Sequence, residues 1–322
     1  MADVRVLSDE QVASLLSLSD LLPEIERAFL KQGRGEVERP PRPHYPVGTE
    51  TPGTALTMPA YVHGDPTYAT KLAAVHESNA EKGLPTVNAQ IAVTDAETGL
   101  PRAYLAGTRV TNARTGCIGG LAARELADAP VRLGVFGAGA QARWQTRAIA
   151  SATNLERVRI YAPSESRAQC ASDLRERLSD VAVSAVESPD PVLDGSNVVV
   201  TATTSTEPVF DGARLEPGTL VVAIGAFTES MRELDSETVR RASRLFADVP
   251  EEVAETGDFA YVGVDATDLT PFSDVFEAGT GRENDAEIVV VASVGSAVLD
   301  AVTAGYLYER AETDGVGTVV EL

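Results

Sequence analysis

The stretch VRLGVFGAGAQARWQ places Gly137 and Gly139 directly after an apolar run of strand length and ahead of a helix-forming segment. Ala142 fills the third small position of a G-x-G-x-x-A turn. Chemistry explains the glycines. A pyrophosphate must approach the backbone at a helix N-terminus, where free N–H groups and the helix dipole favour negative charge. The turn therefore points to a dinucleotide. The second strand, RVRIYA, ends in Ala162-Pro163-Ser164-Glu165-Ser166-Arg167. An acid at the strand tip would grip the ribose hydroxyls of NAD, and none is there. Ser164 and Arg167 are placed to hold a 2′-phosphate, so the acid rule favours NADPH slightly over NADH, with Glu165 as the rival ribose ligand. Lysine occurs only at Lys31, Lys71 and Lys82, which makes each one worth examining. Lys71 lies within an apolar stretch, TYATKLAAVH. His44 and His76 could each relay protons or be satisfied structural histidines. No metal site is expected.

These residues need elements to position them. Ser8-Asp9-Glu10-Gln11 is a capping-box pattern that starts a short helix. Leu21, Ile25, Ala28 and Phe29 recur at helical spacing, and Gly33 and Gly35 end that second helix. Residues 39–66 are rich in proline and glycine, so turns and short strands are expected there, LTMPAY among them. TYATKLAAVH reads as a strand. AQIAVTD and PRAYLAG read as a hairpin closed by Ala96-Glu97-Thr98-Gly99. The pattern then changes. RVTNARTGCIGGLAARELA is a helix with many small residues. VRLGVF, RVRIYA, VAVSAV, NVVVTA, TLVVAIG and RLFADV are apolar runs separated by helical segments, the signature of a parallel sheet buried on both faces. The last helix is expected over about Asp285 to Arg310. The fold class expected is α/β. A Rossmann-type doubly wound parallel sheet domain, residues 119–301, is inserted in a smaller α+β substrate-binding and dimerisation domain, residues 1–118 and 302–322.

Composition narrows the function classes. The chain has 322 residues, enough for two domains. Its net charge of -21 repels phosphates, so nucleic acid is not the expected partner. The sequence has no apolar run of membrane-spanning length and begins without the basic start and apolar stretch of a secretory signal, so no membrane association is expected. Two cysteines, Cys117 and Cys170, make no disulfide scaffold, and a cytoplasmic setting is expected. Few lysines and many acids resemble the proteins of salt-loving organisms, in which high salt screens self-repulsion.

Taken together, YATKLAAVHESNAEKGLPTVNAQ, VTDAETGLP, TRVTNARTG, VFGAGAQA and IGAFTESMRELD resemble, in order and spacing, the ornithine cyclodeaminase/μ-crystallin family over nearly the whole chain. That family includes ornithine cyclodeaminases, archaeal alanine dehydrogenases, ketimine and Δ1-pyrroline-2-carboxylate reductases, and μ-crystallin. The resemblance implies a nicotinamide cofactor and a dimer built through the small domain. It places a catalytic lysine at Lys71 and carboxylate-binding arginines at Arg42 and Arg114, with Arg39 a rival for Arg42. It places cofactor contacts at Thr86, Arg114, Gly137, Gly139, Ala140, Gln141, Thr203 and Ser293, and a common family histidine at His76. Such a set suits an α-imino or α-keto acid. Arginine forks grip its carboxylate, and a lysine with a lowered pKa polarises and protonates the reacting group.

Departures from the family pattern decide the subclass. A cyclodeaminase would carry an aspartate where Phe227 stands, and a glutamate ahead of the Met-Pro dipeptide, where Leu56 and Thr57 stand. With Phe227 in that place, archaeal-type alanine dehydrogenation lacks the same aspartate here. Glu229 is a weak substitute. Trp144, on the helix after the glycine turn, reads most simply as packing. The expected activity is an NAD(P)H-dependent reductase of an imino acid, of ketimine or Δ1-pyrroline-2-carboxylate type. Alanine dehydrogenase and ornithine cyclodeaminase are the rival enzymes, and a μ-crystallin-like protein that binds cofactor and ligand without turnover is the rival of another class.

Overall fold

The computed structural model describes residues 3–50 and 53–322. Positions 51 and 52 of the proline-rich stretch, and the first two of the expected N-terminal unit, lie outside the described residues. The chain divides into two compact units, one holding the chain through Arg114 together with Ser296–Leu322, the other Thr115–Gly295. The divisions thus fall at 114/115 and 295/296 rather than at 118/119 and 301/302.

The first unit is built on a mixed sheet. Its strands are Asp3–Leu7 (β1), Val37–Glu38 (β2), His44–Val47 (β3), Gly53–Val62 (β4), Thr67–Val75 (β5), Val87–Asp95 (β6) and Pro101–Ala106 (β7), with the C-terminal Thr318–Glu321 (β16). The order is β16-β1-β7-β6-β5-β4-β2, with β3 on β4. Among the described residues, only β1 and β7 pair in parallel within it. The expected hairpin is β6–β7. β1 and β16 are two further short strands, which pair with each other and which the sequence reading does not include. Period-two alternation fixes the faces. Met58, Lys71, Ile91 and Leu105 lie opposite one another across β4, β5, β6 and β7, and all four are buried. The helices Leu18–Gly33 and Ala297–Thr313 pack on each other, and the latter covers β4 and β5. The capping box at Ser8 and Gln11 is complete. The spaced apolar residues of Leu18–Gly33 are all buried.

The second unit is a parallel sheet. Its strands are Val131–Phe136 (β8), Leu155–Tyr161 (β9), Ala182–Ala185 (β10), Val198–Thr201 (β11), Leu220–Ala223 (β12), Ala242–Ala247 (β13), Thr270–Pro271 (β14) and Ile288–Ala292 (β15). The order is β10-β9-β8-β11-β12-β15-β13-β14, every pairing parallel. The β8, β11, β12 and β15 strands are buried throughout apart from Arg132. The winding direction reverses between β8 and β11, and ligands bind at such a switch point.

One expected element is corrected. The single helix over Asp285–Arg310 is instead β15, a loop, and a helix that starts at Ala297 behind the Ser296 N-cap. The run IVVVA is β-branched and wholly buried, and it completes the sheet between β12 and β13. A short apolar run does not distinguish a core strand from a buried helix by periodicity. Gly295, at φ +87°, separates the two.

Candidate active site and dinucleotide site

Lys71 projects from the covered face of β5. Its neighbour Leu72 points to the opposite face and is 45% exposed, whereas Lys71 is 3% exposed. A buried ammonium requires a counter-charge. Asp300, in the first turn of Ala297–Thr313, supplies it: Lys71 Nζ donates to Asp300 Oδ2 over 2.5 Å. The other oxygen, Oδ1, accepts from Arg114 Nε over 3.0 Å. One buried carboxylate thus holds two of the three expected cations, Lys71 and Arg114. Burial lowers the Lys71 pKa most, Asp300 raises it, and Arg114 and Arg42 lower it further, leaving it at about 8. Burial works against ionised Asp300, but Arg114 and Lys71 outweigh it and keep its pKa below the usual value. Arg42 therefore stands within electrostatic reach of Lys71, from the segment just before β3. Among the described residues Asp300 engages Arg114 through Nε alone. Asp300 was missing from the sequence-derived set. Its signal was there, an acid in an otherwise apolar run of the final helix, VLDAVTAG.

The dinucleotide turn is built in the second unit, after β8. Gly137 has φ +113°, and a Cβ there would sit 2.4 Å from the Ala202 carbonyl oxygen. Only glycine fits. Gly139 is the N-cap of helix Ala140–Ala152 and makes no side-chain cap bond. A Cβ on Gly139 would meet nothing within 4 Å, so the helix N-terminus is open to a phosphate. Ala142 is fully buried, as close helix–strand packing requires. Arg143 Nη1 donates to the Ala138 carbonyl over 2.5 Å and steadies the turn. These features fit a dinucleotide.

The other expected cofactor residues are distributed as follows. Thr203 follows β11, where Ser205 N–H donates to its Oγ1. Ser293 follows β15 and donates its hydroxyl to buried Asp248 over 2.6 Å. Ser164 lies after β9, 2.7 Å from the Ser166 hydroxyl. Arg167 is 8% exposed. Its Nη1 donates to the Ser164 carbonyl over 2.8 Å, and its Nη2 contacts Glu187 at 2.5 Å and Glu165 at 3.2 Å. Thr86 belongs to the first unit, where its carbonyl accepts from His76 N–H.

The remaining singled-out residues are structural or exposed. The His76 ring packs where a Gly53 Cβ would be. His44 is exposed on β3. Trp144 is buried beneath the Arg147 guanidinium, 4.2 Å from the ring centroid. Phe227 is exposed in the loop after β12. Glu229 is exposed in the same loop.

The profile of the "Ornithine cyclodeaminase/mu-crystallin family" matches residues 3–315. The chain belongs to this family. Among curated members, an alanine dehydrogenase of Archaeoglobus fulgidus is 31% identical over 99% of this chain and 98% of its own length. A Δ1-pyrroline-2-carboxylate reductase of Bacillus cereus is 30% identical over 98% of this chain and 99% of its own. Among solved structures, the Thermococcus litoralis Δ1-pyrroline-2-carboxylate reductase in complex with NADH and L-proline superposes with a TM-score of 0.93. It is 34% identical and covers 98% of this chain and all (100%) of that one. An archaeal alanine dehydrogenase dimer with bound NAD gives a TM-score of 0.89 at 29% identity, covering 100% of both chains. The family and the doubly wound fold expected from sequence both stand.

Proposed function

We propose that this member of the ornithine cyclodeaminase/mu-crystallin family is a nicotinamide-dependent reductase of α-imino acids, with Δ1-pyrroline-2-carboxylate the expected substrate. The observation that carries this reading is the buried Lys71–Asp300–Arg114 arrangement. Arg114 spends only Nε on Asp300. Its Nη1 and Nη2 form a planar fork, positioned by Asp300, that takes a substrate carboxylate bidentately, with Arg42 as second cation. Lys71, with a pKa of about 8, is predominantly protonated at neutral pH. It donates its proton to the imine nitrogen, and Asp300 stabilises the cationic form that solvent then restores. When bound, the nicotinamide supplies the hydride to the α-carbon. Together the two transfers convert C=N to CH–NH.

Two observations favour this reading over its rivals. Phe227 supplies no carboxylate for a distal amine, against cyclodeamination. The T. litoralis reductase bound to NADH and L-proline, the reduced product of Δ1-pyrroline-2-carboxylate, is similar over nearly the whole chain. For the cofactor, Arg167 already faces Glu165 and Glu187. Two carboxylates beside a 2′-phosphate would repel it, which supports NADH over the NADPH that the strand-end sequence favours. Cys117 and Cys170 are free and buried, which agrees with the proposed cytoplasmic setting.

The test is a substrate panel in molar KCl with both nicotinamides: Δ1-pyrroline-2-carboxylate, pyruvate with ammonia, L-alanine and L-ornithine. Fastest turnover is expected with the cyclic imine and NADH. Faster ammonia release from ornithine, or faster alanine oxidation, overturns the assignment. Lys71→Ala is expected to lower kcat/KM by about a thousandfold, with NADH binding retained. A negligible rate in the wild type, unchanged by this substitution, would instead indicate a binding protein.

A further inference from the structure

Glu233 is fully buried in the second unit, in the loop before helix Ser236–Arg241. No step described above uses it. Its carboxylate accepts four hydrogen bonds. Oε1 takes Thr203 N–H over 2.6 Å and Thr203 Oγ1–H over 2.8 Å. Oε2 takes Thr201 Oγ1–H over 2.8 Å and Gly225 N–H over 2.7 Å. The donors come from the end of β11 and from the loops after β11 and β12. Asp258 in turn accepts from the Glu233 and Leu234 N–H groups over 2.6 and 2.8 Å, fixing the backbone that carries the carboxylate. Gly225 permits the approach, because a Cβ there would lie 2.3 Å from the Thr203 carbonyl oxygen and 2.6 Å from Glu233 Cδ. The held segment is also the seat of the dinucleotide turn: a Gly137 Cβ would meet Ala202 O at 2.4 Å and Thr203 Cγ2 at 3.4 Å.

We propose that Glu233 is the positioning residue of the dinucleotide subsite, clamping the Ala202–Thr203 and Gly225 segments against the Gly137 turn so that cofactor affinity depends on its carboxylate. This rests on the dinucleotide reading above and extends it to a residue outside the cofactor contact set. An amide is no substitute. Each oxygen faces one backbone N–H, which can only donate, so in either orientation of a glutamine the NH2 group confronts a buried donor. Burial, and the nearby charge of Asp258, push Glu233 up to about 7, and the four donors are what oppose that cost in the folded protein.

The experiment measures NADH affinity directly by the fluorescence of the bound coenzyme, alongside thermal stability without cofactor and steady-state kinetics. Glu233→Gln is expected to weaken NADH binding about tenfold or more, while kcat at saturating NADH falls less than about threefold. Thr201→Val removes one donor without touching the cofactor contacts, and a weakening of about threefold is expected. If Glu233→Gln does not fold, Thr201→Val decides the matter. Unchanged NADH affinity in a folded Glu233→Gln, or in Thr201→Val when the first is unfolded, overturns the inference and leaves the reductase reading intact. A loss in kcat alone overturns it likewise. A wild type that binds NADH but reduces no imino acid overturns the reductase reading and leaves the inference standing.

Discussion

Asp300 and Lys71 are 229 positions apart in sequence and 2.5 Å apart in space, both inside the first unit. The same carboxylate reaches Arg114, so the expected proton donor and carboxylate clamp share one counter-ion. Replacing Asp300 by asparagine keeps the shape and removes the charge. Two cations then remain buried with their compensation gone, at a cost of about 3–5 kcal/mol in folding stability. The catalytic consequence has a definite sign. With Lys71 as the proposed acid, the rate should fall as pH rises through its pKa of about 8. Asp300 is the neighbour that raises that pKa, by its charge and by its hydrogen bond, hence Asp300→Asn should move the alkaline limb of kcat to lower pH by at least about one unit. A kcat–pH profile that keeps its limb in place would remove Lys71 from the role of acid.

Much of this site was legible in the chain, and the reasons differ by residue. The glycine turn announces itself because its function depends on backbone sterics, which local sequence encodes. Lys71 stood out through the scarcity of lysine and the motif around it. Asp300 did not, because its meaning is tertiary: an acid in a helix is ordinary until a strand far away brings a cation to it. Glu233 lies within the stretch IGAFTESMRELD, yet the four donors that surround it come from the end of β11 and from the loops after β11 and β12. The strand Ile288–Ala292 reads as part of a helix in sequence for a related reason. A wholly buried run has no polar face to reveal its period.

Cofactor choice offers a separate test at the end of β9. Arg167 contacts Glu165 and Glu187, both of them exposed. If these carboxylates exclude a 2′-phosphate, the Glu165→Gln/Glu187→Gln double substitution should raise kcat/KM for NADPH by about tenfold relative to NADH. Arg167→Ala in the wild-type background should change the ratio by less than about threefold. A wild type that prefers NADPH and loses that preference on Arg167→Ala would restore the phosphate-binding role read from the sequence.

Assembly can be argued from the uncovered face of the first sheet. Val6 pairs with Tyr104, Tyr104 with Ala92, and Ala92 with Thr70, a row on the side opposite Lys71. Leu72 continues that face, and Val6, Tyr45, Leu72 and Tyr104 are all exposed. A hollow of about 430 Å³ lined by Tyr45, Ala55, Thr57, Leu72 and Ala74 opens there. Several large exposed apolar side chains on one sheet face suit an interface. A homodimer joined through this face is the proposal, as the family resemblance implies. Light scattering should give twice the chain mass, and Leu72→Asp should shift the protein to monomer, because a carboxylate at a self-facing surface meets its own copy. A wild-type monomer, or a Leu72→Asp dimer, contradicts it.

Salt provides the remaining prediction, and charge decides its direction. The chain carries 48 acidic and 27 basic residues, for a net charge of -21. At low ionic strength that excess repels itself and weakens the compact state. At about 1 M salt the screening length shrinks to about 3 Å, below the spacing of most surface charges. The surface pairs that salt also weakens, such as Arg109–Asp9 at 2.5 Å, are worth only about 0–1 kcal/mol each. Relief of the net repulsion should therefore dominate. Thermal unfolding followed from 0.1 to 2 M KCl should show Tm rising by roughly 10 °C or more. The buried Lys71–Asp300 pair is shielded from ions, so the alkaline limb near pH 8 should stay in place across the same range. A Tm that falls with KCl would mean the surface pairs outweigh the net charge, and would end the halophilic reading of the composition.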